Sequence, residues 1–310
     1  MLKKIVFMGT PIFSVPILKS LYQNGYSVTL VYTQPPQKSQ RGQKINKSPI
    51  QKISETLNIE VRNPNSLKGN KEEYEYLKKL DPDIVIVVAY GQIIPKEFLV
   101  LAKKGFINIH ASLLPKWRGA APIQRSIMNL EKETGFTIMK INEKLDTGPI
   151  CNSYKMKITD NDNTKTISEK ISLLAAEKIL DNLDNILDGT IEFKEQNHSE
   201  ATYAIKVKKT EGQIKWGEAA ENIIGKINGL YPNPGAFFIY KGQRYKILRA
   251  DLSSGSGEIG EVLDNYLEIA CGNKKSIKIL DIQREGKRPQ NISEFMLGSQ
   301  IKKGSNLNNV

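Results

Sequence analysis

DIVIVVAYG, Asp83 to Gly91, is a β-branched run without polar alternation, the pattern of a strand buried on both faces of a parallel sheet. The next apolar run lies in FINIHASLLPKWRGAAP, Phe106 to Pro122, and is of a different kind. It reads as a strand from Phe106 to His110 that breaks at once into a loop containing Pro115 and Gly119. Residues two apart on a strand point the same way, so Asn108 and His110 share one face while Ile107 and Ile109 take the other. His110 is one of only two histidines in the chain. An amide donor and a titratable ring at a strand end, followed by a loop, match a site at the carboxyl edge of a parallel sheet.

Outward from these strands, β-branched runs alternate with amphipathic stretches, the signature of βαβ units. Strands are predicted at Ile5–Met8, Ser27–Thr33, Phe136–Ile141 and Ile150–Lys157, and helices at Phe13–Asn24, Pro49–Leu57, Lys71–Lys79, Pro122–Met128 and Thr166–Leu187. Beyond Asp188 the periodicity lapses, and the texture then changes to short, glycine-bounded strands at Ala236–Tyr240, Tyr245–Ala250, Gly260–Leu263, Leu267–Ala270 and Ile277–Ile282. The expected architecture is α/β: a Rossmann-like parallel-sheet domain over 1–189, a linker over 190–208, and a small OB-like β-barrel domain over 209–310. The polar tail from Gly298 is expected to fray.

A chain of 310 residues exceeds the comfortable size of one core, which agrees with two domains. Its 45 Lys and Arg against 33 Asp and Glu leave a formal net charge of +12, which favours a polyanionic partner, nucleic acid ahead of a membrane surface. Cys151 and Cys271 fall in different predicted domains, so neither a disulfide framework nor a metal knuckle is expected, and a reduced, cytoplasmic setting follows. The N-terminal apolar run ends at Gly9-Thr10-Pro11, too short for a signal-peptide core, and no segment approaches a membrane span. That same turn lacks the G-x-G-x-x-G pattern. No phosphate loop, H-E-x-x-H pair or G-x-S-x-G elbow occurs elsewhere, so dinucleotide, phosphoryl, zinc and serine-nucleophile chemistries lose support.

Asp146, in KLDTGP, follows another predicted strand of the sheet, so its loop can reach the same edge as Asn108 and His110. An amine attacking an acyl carbonyl builds an oxyanion, which an Asn N–H and an imidazolium stabilise, and the amine must lose a proton. A carboxylate near the imidazole holds its charged form or relays that proton. Acyl transfer to an amine therefore fits these three residues better than hydride transfer. Cys151 has no activating base beside it and reads as structural.

The words NIHASLLPKWRGAAPIQRSI, VVAYGQIIP and LDTGP, in this order and spacing, resemble the 10-formyltetrahydrofolate-dependent formyltransferases. PKWRGAAPIQ together with the second domain resembles the branch of that family acting on methionyl-tRNA, and the likeness runs from Gly9 through YTQPP at Tyr32 to KKTEGQIKW at Lys208. The resemblance implies Asn108, His110 and Asp146 as the catalytic set, and Ser112, Leu113, Leu114 and Pro115 as the loop that holds the folate. Tyr90 and Gly91 would border the pterin pocket. It further implies 10-formyltetrahydrofolate as donor without a metal, initiator methionyl-tRNA as acceptor, and a cytoplasmic protein off the membrane, expected as a monomer. The loop from Gln34 to Lys47 carries basic residues and no acid; it reads either as a solvated loop or as an RNA-contacting arm, in which Arg41 matches the family's functional arginine and Lys38 and Lys44 add charge. Trp117 and Arg118 either pack the loop that follows His110 or stack on substrate, and packing is the preferred expectation. One departure is Lys215, where the family usually has Asp before Trp, and it bears on local packing or RNA contact only. Two other readings stay open: formyl transfer to a small amine such as glycinamide ribonucleotide or an amino sugar, and a non-catalytic nucleic-acid-binding protein.

Overall fold

The structure, a computed structural model, describes residues 3–39 and 44–308, with the side chains of Lys38, Ser39 and Lys44 outside the description. The chain divides into two compact units: Met1–Gly119, Gly135–Met156 and Ser168–Tyr203 form the first, and Ala120–Thr134, Lys157–Ile167 and Ala204–Val310 the second. In chain order the elements are β1 (Ile5–Gly9), α1 (Val15–Gln23), β2 (Val28–Tyr32), β3 (Gln37–Ser39), β4 (Lys44–Asn46), α2 (Pro49–Thr56), β5 (Glu60–Arg62), α3 (Lys71–Leu80), β6 (Ile84–Val88), β7 (Phe106–His110), β8 (Arg118–Gly119) and α4 (Pro122–Met128). There follow β9 (Glu133–Lys140), β10 (Ile150–Lys157), α5 (Thr164–Asp188), β11 (Tyr203–Ala204), α6 (Ala220–Leu230), β12 (Ala236–Tyr240), β13 (Gln243–Ser253), β14 (Glu268–Ala270), β15 (Ser276–Arg284), β16 (Gln290–Asn291) and α7 (Ile292–Leu297).

The first unit is built on a seven-stranded sheet ordered β10-β9-β7-β6-β1-β2-β5. β1 pairs in parallel with both β2 and β6, β2 with β5, and β6 with β7. The centre of the sheet is thus parallel, as expected, and β1 and β6 are buried at every residue. Because the chain leaves β1 towards β2 and later returns to β6 on its other side, the sheet has a topological switch point whose crevice opens at the carboxyl ends of these strands. The far edge differs from expectation: β9 runs antiparallel to β7, with Ile107 opposite Lys140 and His110 opposite Thr137. Helix starts follow local chemistry. Ser48 accepts from Gln51 N–H (2.9 Å) ahead of Pro49, and Asn70 accepts from Glu73 N–H (3.2 Å) ahead of an α3 whose acidic first turn and basic last turn match the helix dipole.

The stretch 190–208, expected as a linker, is instead built into the two units. Lys194 forms an antiparallel bridge with Ile150, Gln196 is buried, and residues through Tyr203 belong to the first unit. It shows no periodicity because its regular pieces, a single bridge at Lys194 and the two-residue β11, are too short to alternate.

The second unit holds an antiparallel sheet ordered β12-β13-β15-β14, with β16 paired to β15, the half-barrel form of the expected β domain. Trp216, Phe238, Tyr245 and Phe295 chain together through its core at ring separations of 5.3–5.8 Å. Two expectations are corrected. Gly260–Leu263 is no continuous strand, only isolated bridges from Glu261 to Asn306 and from Val262 to Ile269. The tail does not fray over the described residues: Ile301 and Leu307 are buried, and Val262 and Leu307 donate to Ser305 O (2.9 Å) and Gly260 O (2.8 Å). Two apolar anchors and the free backbone groups of 260–262 are enough to seat a polar segment. Residues 120–134 and 157–167 also lie in this unit, so the division is not a single cut along the chain.

Helix α6 was not legible in the sequence because Gly225 and Gly229 interrupt it. Their role is close packing against α4: a Cβ at Gly229 would fall on Met128 Cγ and 3.0 Å from Gln124 O, and one at Gly225 would sit 2.7 Å from Leu130 Cδ2. Gly229→Ala should therefore destabilise by about 1–3 kcal/mol through overpacking, despite the better helix propensity of Ala. The control is Gly298→Ala, at an exposed position with nothing within 4 Å of the added Cβ, which should shift stability by less than about 0.5 kcal/mol in a denaturant titration.

Candidate active site

Strand β7 ends on His110, whose ring is almost fully enclosed. His110 Nε2 lies 3.0 Å from Trp117 O. A carbonyl only accepts, so this nitrogen carries a proton and donates. The other nitrogen, Nδ1, faces Asp146 Oδ2 at 3.6 Å, with side-chain exposures of 7% and 14% for the two partners. The ring thus stands between a carbonyl that takes the Nε2 proton and a carboxylate that faces Nδ1. Asn108, two residues back on the same strand face, is half-buried, and its amide makes no hydrogen bond to the described residues. Among the described residues, then, an uncommitted amide donor shares a strand face with the His110 ring.

Asp146 arrives by a route the sequence did not indicate. Because β9 is antiparallel, the chain leaves the sheet beside Phe106, where Ile141 N–H donates to Phe106 O (2.8 Å), at the end of β7 opposite His110. The loop from Ile141 must run back along β7 to meet the histidine. Asp146 takes a left-handed φ of 50°, its Oδ2 accepts from Gly119 N–H (2.8 Å), and its main-chain O accepts from Gln196 Nε2 (2.9 Å). The three residues expected to act together are brought together, though not by a parallel carboxyl edge.

The loop after His110 is stapled to β9. Thr137 Oγ1 donates to Ser112 O (2.7 Å) and accepts from Leu114 N–H (3.1 Å), Ser112 Oγ donates to Lys116 O (2.7 Å), and Leu114-Pro115 is a cis peptide. Ser112 and Leu114 are buried, while Leu113 and Pro115 are half-buried. Tyr90 and Gly91 follow β6, the strand next to β7, in which Val87 pairs with Asn108. Tyr90 O accepts from Thr10 Oγ1 (2.7 Å), and Gln34 Nε2 donates to Gly91 O (2.9 Å), so residues after β1, β2 and β6 are knotted at the switch point. The Tyr90 hydroxyl is buried with no partner among the described residues, and burial raises its pKa strongly.

Of the basic loop, the described part is an antiparallel ladder in which Lys38 opposes Ile45 and Ser39 opposes Lys44; Arg41 lies outside the described residues. Arg118 is buried, as the packing expectation held, donating from Nε and Nη2 to Gln196 Oε1 (3.1 and 2.6 Å) and from Nη2 to His198 Nδ1 (2.9 Å). Burial pushes the Cys151 thiol up to about 11, away from nucleophile chemistry. Lys215 is exposed between buried Ile214 and Trp216, so the departure there leaves packing undisturbed. Sequence reasoning missed Gln196, Thr202, Thr137 and Thr10. The one available signal was His198, the second of the two histidines, which ends in the same network as the first. Among the described residues, no helix is long and apolar enough to cross a membrane, and no cluster of three or more His, Cys, Asp or Glu could hold a metal.

The family model described as formyl transferase matches residues 3–183, and that of the formyl transferase C-terminal domain matches 206–300. The chain is 71% identical over 310 residues to the methionyl-tRNA formyltransferase of Pelagibacter ubique, covering all of both chains. It is 41% identical over 306 residues to that of Caldanaerobacter subterraneus subsp. tengcongensis, covering 97% of this chain and 99% of the relative. In fold it is similar to WlaRD, a sugar 3N-formyl transferase solved in the presence of dTDP and 5-N-formyl-THF, with a TM-score of 0.70 at 20% identity over 93% of this chain and 100% of that one. Matched by both family models, and 71% identical over its whole length to one relative, the chain belongs to the formyl transferase family.

Proposed function

We propose that this chain transfers the formyl group of 10-formyltetrahydrofolate to the α-amino group of initiator methionyl-tRNA, with Asn108, His110 and Asp146 as its catalytic set. The observation that carries the site assignment is the approach of His110 Nδ1 to Asp146 Oδ2 beside an Asn108 amide that no described residue occupies. Full-length identity to methionyl-tRNA formyltransferases supports the choice of acceptor. 10-Formyltetrahydrofolate supplies the acyl group. The SLLP loop from Ser112 to Pro115, with Tyr90 and Gly91 across the switch point, binds it, and the unpartnered Tyr90 hydroxyl fits a polar ligand atom. Asn108 N–H and the His110 ring stabilise the negative charge that develops on the formyl oxygen. An α-amine has a reference pKa of about 7.7–8.0 and attacks as the free base. Asp146 orients His110 through its approach to Nδ1 and assists removal of the proton the amine releases.

Lys38, Arg41 and Lys44, from the basic loop between Gln34 and Lys47, contact the RNA backbone in this reading. A second basic surface supports an RNA partner: in the second unit, Lys206, Lys209, Arg244 and Lys246 line a cavity of about 650 Å³. The protein acts in the cytoplasm, off the membrane, as a monomer. The test is an acceptor panel of charged initiator tRNA, charged elongator tRNA, glycinamide ribonucleotide and an amino sugar, each with the formyl donor. Formylation of the initiator tRNA above all others is expected. Formylation of a small amine alone would assign a different acceptor, and tRNA binding without turnover would make the chain a binding protein.

A further inference from the structure

We propose that Gln196 is the positioning residue of the His110–Asp146 pair, the inner end of a strap, Gln196 to Thr202, that holds both sides of the pair. This rests on the catalytic assignment above. The Gln196 amide is buried and uses both halves: Nε2 donates to Asp146 O (2.9 Å) and Gly148 O (2.8 Å), and Oε1 accepts from Arg118 Nε and Nη2. It therefore grips the main chain on either side of Thr147 and holds Asp146 in a left-handed conformation that a non-glycine residue adopts only when surrounding contacts impose it. At the other end of the strap, Thr202 Oγ1 accepts from Trp117 N–H (2.9 Å) and Thr202 O from Arg118 N–H (2.9 Å). These bonds fix Trp117, also left-handed at φ 61°, whose carbonyl holds His110 Nε2. Gly119 N–H, one residue beyond Arg118, then meets Asp146 Oδ2 and closes the circuit.

Arg118 shows why this residue is glutamine. It is 2% exposed and forms no ion pair among the described residues, its charge resting on Gln196 Oε1 and His198 Nδ1. A buried guanidinium would be held better by a carboxylate. A glutamate at 196, however, could not donate to Asp146 O and Gly148 O, whereas a glutamine is acceptor and donor on one planar group. The side chain suits the placement of the Asp146 loop rather than the stability of Arg118.

Gln196→Glu separates the two roles, since it keeps the acceptor for Arg118 and removes both donors to the loop. The variant should still fold, its closer pairing with Arg118 offsetting part of the cost of two carbonyls left without a donor, lose about 10-fold or more in kcat, and keep KM for donor and tRNA within about twofold. In an Asp146→Asn background the same change should cost no further activity, because its route to the chemistry is already gone. Native kcat in Gln196→Glu, or an equal fractional loss in both backgrounds, would overturn the proposal. Asp146→Asn retaining native turnover by itself would sink the catalytic assignment first, so the two failures are told apart.

Discussion

Exchanging Asp146 for asparagine should slow formyl transfer by about 10²- to 10³-fold and leave the fold intact. Asparagine has nearly the same shape, keeps an oxygen for Gly119 N–H, and leaves the Gln196 bond to the main chain untouched. What disappears is a negative charge 3.6 Å from His110 Nδ1 in a pair that is mostly enclosed. Opposite unit charges about 4 Å apart interact by about 4 kcal/mol at an effective dielectric of ~20, and each 1.36 kcal/mol of barrier is about a factor of ten in rate. Loss of roughly two-thirds of that attraction accounts for the size of the effect. At 3.6 Å the contact is longer than a hydrogen bond, and catalytic contacts of this kind tighten when substrate closes the site. His110→Ala should bring a loss of the same order. The double variant should be little worse than the poorer single one, since the two act as a unit. Steady-state kcat at saturating donor and tRNA checks this, and a kcat for Asp146→Asn within about threefold of native would remove the carboxylate from the mechanism.

Much of this was legible in the sequence, for identifiable reasons. The limits of β7, α4 and β12 follow from abrupt changes in residue type: an apolar run closed by His110, Pro122 at a helix start, and Gly235 before Ala236. Asn108 and His110 could be paired because strand alternation is a local rule. Features set by distant packing could not be read in this way. Helix α6 was hidden by glycines that serve the approach of α4, and β5, at only Glu60–Arg62, is too short to alternate. The antiparallel turn of β9 has no local signature, so the route of Asp146 was misjudged even though its destination was right. Gln196 escaped notice for the same reason. A residue that works through two main-chain oxygens about fifty positions earlier leaves no pattern in its own neighbourhood.

The second large effect falls on Asn108. Its side chain has no structural duty that the described residues reveal, being half-buried with no protein hydrogen bond, so its removal leaves no buried group unsatisfied. The amide projects from a main chain that is held on both sides, because β7 is flanked by β6 and by β9. Losing one such preorganised donor to an oxyanion typically slows the chemical step by about 10²- to 10³-fold, or roughly 2.7–4 kcal/mol of barrier. Asn108→Ala should therefore fold and melt like the native chain, with the deficit confined to the transfer step. The most direct test of the site is a single-turnover experiment with enzyme in excess over charged initiator tRNA, following formyl-methionine formation in Asn108→Ala beside the native chain, with donor affinity measured separately. The site predicts a transfer rate at least about 100-fold lower with donor binding unchanged. A near-native transfer rate in that variant would contradict it.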